Sequence, residues 1–133
     1  MKAISARASQ IMNLGAQLKV ADNSGARIAR VVGVKRGKTR KGQQQAFRVA
    51  DLVKVCIRKG PIEMKKQLFW AVVIRQKKEY RRKTGERIGF EDNAVALLKD
   101  EDGNPKGTQI KGPIAKETAD RWPFIQKIAQ FVV

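Results

Sequence analysis

The 133-residue sequence contains no histidine and only one cysteine, Cys56. Together these absences remove the usual zinc-finger ligand sets and any internal disulfide framework. They fit a reducing, cytosolic setting. Acidic side chains are also scarce: 12 Asp and Glu stand against 29 Lys and Arg, a formal net charge of +17. So large an excess works against a compact monomer unless anions neutralise it, and nucleic acid is the obvious anion. No apolar run approaches the length of a membrane span, and the stretch 3–12 is broken by Ser5, Ser9 and Gln10. Neither a membrane partner nor a secretory leader is expected. Internal repeats and long low-complexity segments are absent too, and the length suits one domain, 1–133.

What is present reads mainly as β. Within 69–98, Phe69, Trp70, Ala71, Val72, Val73 and Ile74 make one continuous apolar run, and Ala94, Val95, Ala96, Leu97 and Leu98 make a second. Both have the composition of buried strands. The loop between them is crowded with cations, and its Lys83-Thr84-Gly85-Glu86 segment suits a turn that needs positive φ at Gly85. This predicts a hairpin that projects charge at its tip. A second hairpin is expected from the alternation of 17–22 and 27–35 about the turn residues Asp22-Asn23-Ser24-Gly25. The segment 36–45, RGKTRKGQQQ, has no apolar residue and reads as an exposed loop. Alternation resumes over 49–57, with Val53, Val55 and Ile57 pointing one way, and Gly60-Pro61 ends it. A surface turn at 100–105 and a short strand over 107–111 follow.

Gly112-Pro113 marks a change to a helical pattern. One short helix is expected over 115–122, and a second starts at Pro123 with Phe124, Ile125, Ile128 and Ala129 at helical spacing. The expected architecture is a small five-stranded β-barrel with a projecting β-hairpin and short C-terminal helices. Within it, 1–16 form an N-terminal arm or first strand, 17–111 the barrel with basic loops, and 112–133 a helical appendage.

Three basic clusters carry the functional reading. The first holds Arg27, Arg30, Lys35, Arg36, Lys38, Arg40, Lys41 and Arg48, with no acidic residue between them. The second holds Lys54, Arg58, Lys65 and Lys66, and the third Arg75, Lys77, Lys78, Arg81, Arg82, Lys83 and Arg87. Any one of them could be a solvated face. Three clusters interleaved with β structure point instead to RNA or DNA binding. Tyr80, inside the third cluster, could stack on a base or pack against neighbouring arginine stems. Phe90 is open between barrel interior and base platform. Trp122, Phe124 and Phe131 either cover one end of the barrel or meet a protein partner.

Catalysis has little to rest on. Residues 33–39 place three residues, not four, between Gly33 and Gly37, and no helix pattern follows, so a phosphate-binding loop is rejected. No candidate base stands beside a nucleophile. Cys56 reads as a small core residue. Glu91 and Asp92 could hold a metal, but a salt bridge to nearby arginines is the favoured use. No enzyme activity, cofactor or metal is expected.

Several blocks carry a family resemblance: Val20-Ala21-Asp22-Asn23-Ser24-Gly25-Ala26, Ala71-Val72-Val73-Ile74-Arg75 with Tyr80-Arg81-Arg82, Gly85 with Phe90-Glu91-Asp92-Asn93-Ala94, and Gly112-Pro113-Ile114-Ala115-Lys116-Glu117. In this order they closely resemble the universal large-subunit ribosomal protein family called L-fourteen in the bacterial scheme. Val73-Ile74-Arg75-Gln76, Phe90-Glu91-Asp92-Asn93 and Ala119-Asp120-Arg121-Trp122-Pro123 resemble its archaeal and eukaryotic branch. The resemblance implies a small five-stranded barrel bound to large-subunit rRNA near the subunit interface. It further implies bridges to small-subunit rRNA, contacts with neighbouring ribosomal proteins, and a cytoplasmic, ribosomal location. In this branch the C-terminal region resembles the docking surface for an anti-association factor. The alternative is a free β-barrel RNA-binding regulator or RNA chaperone.

Overall fold

The computed structural model describes residues 2–35, 41 and 43–133. In chain order the strands are β1 (Ala6–Arg7), β2 (Met12–Asn13), β3 (Gln17–Val20), β4 (Ile28–Val34), β5 (Ala46–Phe47), β6 (Leu52–Lys59) and β7 (Leu68–Arg75). They continue as β8 (Tyr80–Arg82), β9 (Arg87–Ile88), β10 (Ala94–Leu98) and β11 (Ile110–Ile114). Two short helices, α1 (Lys116–Arg121) and α2 (Pro123–Ile128), lead into a last strand, β12 (Ala129–Val132). The protein is thus mainly β with two short helices.

Five strands pair in the closed order β10-β3-β4-β6-β7. All neighbours are antiparallel except β10 and β3, which run parallel. The alternating residues Val53, Val55 and Ile57 face inward with Leu18, Ala29, Val31, Val73, Val95 and Leu97, as period-two patterning demands. β7 and β10 read as unbroken apolar runs because both of their faces are covered. Their other face, through Val72, Ile74, Ala94, Ala96 and Leu98, packs on Ile110, Ile114, Ala119, Trp122 and Ile125 of the tail.

The turn at 22–25 does more than reverse the chain. Asp22 is buried, its Oδ1 accepts the Ser24 backbone N–H at 3.0 Å, and its Oδ2 accepts the Leu97 N–H at 2.7 Å. One carboxylate therefore makes the turn and ties it to β10 across the parallel seam, with charge-assisted bonds to a part-buried and a buried donor.

Three expectations change. Cys56 is not a core residue: it is half-buried on the outer face of β6, between the inward Val55 and Ile57. The stretch 49–57 enters β6 only at Leu52, because Ala50 adopts φ +70° and its N–H bonds to the Val73 carbonyl. Gly112 and Pro113 do not end β structure; they lie within β11, which pairs in parallel with β12, so a strand follows the two helices. The 36–45 loop falls largely outside the described residues, and Arg36, Lys38 and Arg40 with it.

Candidate nucleic-acid interface

The cation-rich connection between β7 and β10 folds into its own small sheet. Strands β8 and β9 turn about Gly85, whose φ of +91° is the left-handed value the segment requires. The N-terminal β1 then adds to the free edge of β8, giving the order β1-β8-β9. Its two faces differ. Ala6, Tyr80 and Ile88 face inward and pack with Ile4, Ala8, Val49, Phe90 and Ala115. On the outer face Arg7 stands opposite Arg81, and Arg81 opposite Arg87, all three exposed.

Directly opposed like charges destabilise a sheet. Among the described residues none of these three arginines has an ion-pair partner. Glu79, nearby, is held by the Lys78 ammonium at 2.9 Å, and that hydrogen bond leads the causes that keep its carboxyl below the ordinary value. The row is therefore a cationic surface without an ion pair among the described residues, with Glu79 the acid that also feels the Arg87 charge.

Other candidate side chains serve the interior. Tyr80 is 2 % exposed and donates its hydroxyl to Glu117 Oε2 at 2.6 Å, so it cannot act as a stacking platform. Burial, then the Glu117 bond, raises its phenol above the ordinary value. Arg82 points to the same carboxylate, with Nε 2.9 Å from Glu117 Oε1, and donates Nη2 to the Val133 carbonyl at 2.6 Å. Arg75 is buried. Its Nε and Nη2 bond Asp92 at 2.8 and 3.3 Å, and its Nη1 bonds the carbonyls of Lys111 and Pro113, each at 3.0 Å. Gly112 makes room for it, since a Cβ there would lie 2.9 Å from Arg75 Nη1. Half-buried Arg48 bonds the Ala8 carbonyl at 2.9 Å, Lys35 pairs with Glu101, and the Lys54 ammonium sits 5.1 Å over the Trp70 ring. Arg75, Tyr80 and Arg82 are thus corrected from RNA contacts to internal ties. Their local sequence is as cationic as that of their exposed neighbours, and only the partners brought in from 92 and 117 distinguish them.

Exposed and available are Arg27, Arg30, Lys41, Arg58, Lys65, Lys66, Lys77, Arg81, Lys83 and Arg87, with Lys78 exposed but paired. Arg7 joins them. Nothing in its local sequence reveals that a two-residue strand at the N-terminus pairs with residues 81 and 82. Asp92 is committed to Arg75 and lies 3.9 Å from Lys19, as the salt-bridge reading expects, whereas Glu91 is exposed and in no ion pair among the described residues. Among the described residues no group of three or more His, Cys, Asp or Glu could hold a metal ion.

At the tail, Trp122 is 6 % exposed and its indole N–H donates to the Ala50 carbonyl at 2.9 Å. It belongs to the core, not to a partner surface. Phe124 and Phe131 remain outside, at 44 % and 62 % exposure. Phe90 is half-buried beside the Tyr80 cluster, outside the barrel interior.

The sequence profile described as "Ribosomal protein L14p/L23e" matches residues 11–133. A protein of Nanoarchaeum equitans named "Large ribosomal subunit protein uL14" is 55% identical over 133 residues, the whole of both chains. Proteins of the same name from Methanothrix thermoacetophila and Nitrosopumilus maritimus are 46% identical over 133 residues and 44% identical over 125. The first covers both chains fully; the second covers 94% of this chain and 89% of its own. A profile match over residues 11–133 and relatives aligned over all or nearly all of both chains decide the question: the chain belongs to the ribosomal protein L14p/L23e family, structural components of the large ribosomal subunit, of the archaeal type.

Proposed function

We propose that the protein binds large-subunit rRNA near the subunit interface of the cytoplasmic ribosome, contributes to bridges with small-subunit rRNA and contacts neighbouring ribosomal proteins. The observation that carries the RNA reading is the row Arg7, Arg81 and Arg87 across β1-β8-β9. Its mutual repulsion is relieved when phosphates lie over it, so part of the binding energy is strain released from the free protein. The mechanism is charge neutralisation and shape matching on a preformed surface. Phe124 and Phe131, exposed on α2 and β12, support a protein-facing role for the C-terminal region, the candidate dock for an anti-association factor.

Reconstitution with large-subunit rRNA tests this. Replacing Arg7, Arg81 and Arg87 together with Ala should leave the fold intact and weaken association. The slope of log affinity against log salt should shrink by about 0.7 to 0.9 for each phosphate no longer neutralised. A wild-type protein that stays out of the large-subunit fraction at moderate salt would instead favour a free RNA-binding regulator.

A further inference from the structure

A hollow on the barrel wall, lined from β4, β6 and the 14–15 turn, shares no residue with the arginine row. Leu14, Gly15, Arg30, Val32, Cys56 and Arg58 line a shallow hollow of about 430 Å3. Its form follows from one irregularity. Val31 pairs with Val55 and Gly33 with Lys54, so Val32 is the extra residue of a β-bulge, and it is 50 % exposed. Bulges re-aim side chains, and here an aliphatic side chain is presented to solvent where a barrel wall would ordinarily be polar. Arg30 pairs across the strands with Cys56, and Arg58 stands two residues further along the same outer face. The Arg30 guanidinium lies beside the backbone at Gly15, 3.5 Å from where a Cβ would be. Both arginines are exposed, and among the described residues neither is in an ion pair. Among the described residues no acidic side chain lines the hollow.

We infer that this hollow seats one unstacked nucleotide of single-stranded RNA. The base would lie on Val32, Leu14 and Cys56, and its flanking phosphates would meet Arg30 and Arg58. The inference rests on the RNA-binding reading above but assigns a different surface and specifies single-stranded RNA. Unstacked bases of loops and bulges can be splayed out into a side-chain pocket, against apolar groups as well as aromatic ones, which duplex RNA cannot do because its bases remain stacked. The charge of the lining excludes a basic peptide as occupant and favours a polyanion.

A short, unstructured RNA carrying 4-thiouridine, irradiated in near-ultraviolet light with the whole protein, gives a direct readout by peptide mapping. The expected result is crosslinks to the peptides bearing Val32 or Cys56, absent when the same RNA is annealed to its complement. Arg30→Glu with Arg58→Glu should abolish them, and with two fewer phosphates neutralised the salt slope should fall by about 1.4. Cys56→Leu, which fills the floor and keeps both charges, should abolish the crosslinks while binding elsewhere persists. Replacement of Arg7, Arg81 and Arg87 should leave them in place. RNA that binds without crosslinking at this face, crosslinks that survive the Arg30 and Arg58 changes, or equal crosslinking of the duplex would each overturn the seat and leave the arginine row standing. Failure of any RNA to bind would overturn both.

Discussion

The Glu117 carboxylate is 3 % exposed, yet it sits in a protein of net charge +17 with Arg82 and the Tyr80 hydroxyl both within 2.9 Å. A buried carboxylate is tolerable only with such partners. Because the phenol donates to a carboxylate in a desolvated place, ionising it would put two negative charges side by side. Tyr80 is the chain's only tyrosine, so its titration is directly visible by ultraviolet absorbance. In the folded protein its midpoint should lie above the ordinary value of about 10, and in denaturant it should return to that value. The unfolded chain loses the proton first, so the contribution to stability is fully present below about pH 10 and is lost as pH rises from there toward the folded value. A native titration at the ordinary phenol value would show that the Glu117 contact does not persist in solution.

At the scale of the element, the β8-β9 hairpin separates two uses of arginine by face alone. Arg81 looks outward in a row with Arg7 and Arg87, whereas Arg82 looks inward to Glu117. Their replacements should diverge. Arg82→Ala leaves a buried carboxylate without its counter-charge and should cost about 3 kcal/mol in urea denaturation. Arg81→Ala combined with Lys83→Ala should change stability by less than about 0.5 kcal/mol, since both are exposed. Equal losses from the two variants would contradict the two-faced sheet. The sequence shows Tyr80-Arg81-Arg82 as a run of interchangeable cations beside an aromatic. Strand alternation tells that neighbours point apart, but not which of the two meets an acid thirty-five residues away.

For the whole molecule, the tail decides which barrel strands can be apolar on both sides. Trp122, Ile125 and Ala119 close over Leu52, Val72 and Leu98. Gly103 then approaches the indole so closely that a Cβ there would lie 2.8 Å from Trp122 Cε3. Trp122→Ala should therefore leave a cavity and cost about 3 to 5 kcal/mol in thermal or denaturant unfolding. Phe131→Ala, at an exposed position, should cost less than about 0.5 kcal/mol. If the two proved alike, the tail would not cover the barrel as described.

Much of this was legible without coordinates. Period-two alternation located β3, β4 and most of β6. Unbroken apolar runs located β7 and β10, and Gly85 and Pro123 marked their turn and helix start. These are local signals, set by pleat geometry and by the conformations that individual residues allow. What the tertiary structure alone decided is the assignment of the described cations. Arg75, Arg82 and Arg48 became internal ties because Asp92, Glu117 and the Ala8 carbonyl arrive from distant segments. Arg7 became part of the outer row because β1 adds to an edge that only folding creates. Pairing across the chain is a matter of which surfaces meet, and a one-dimensional pattern carries charge and period but not the partner.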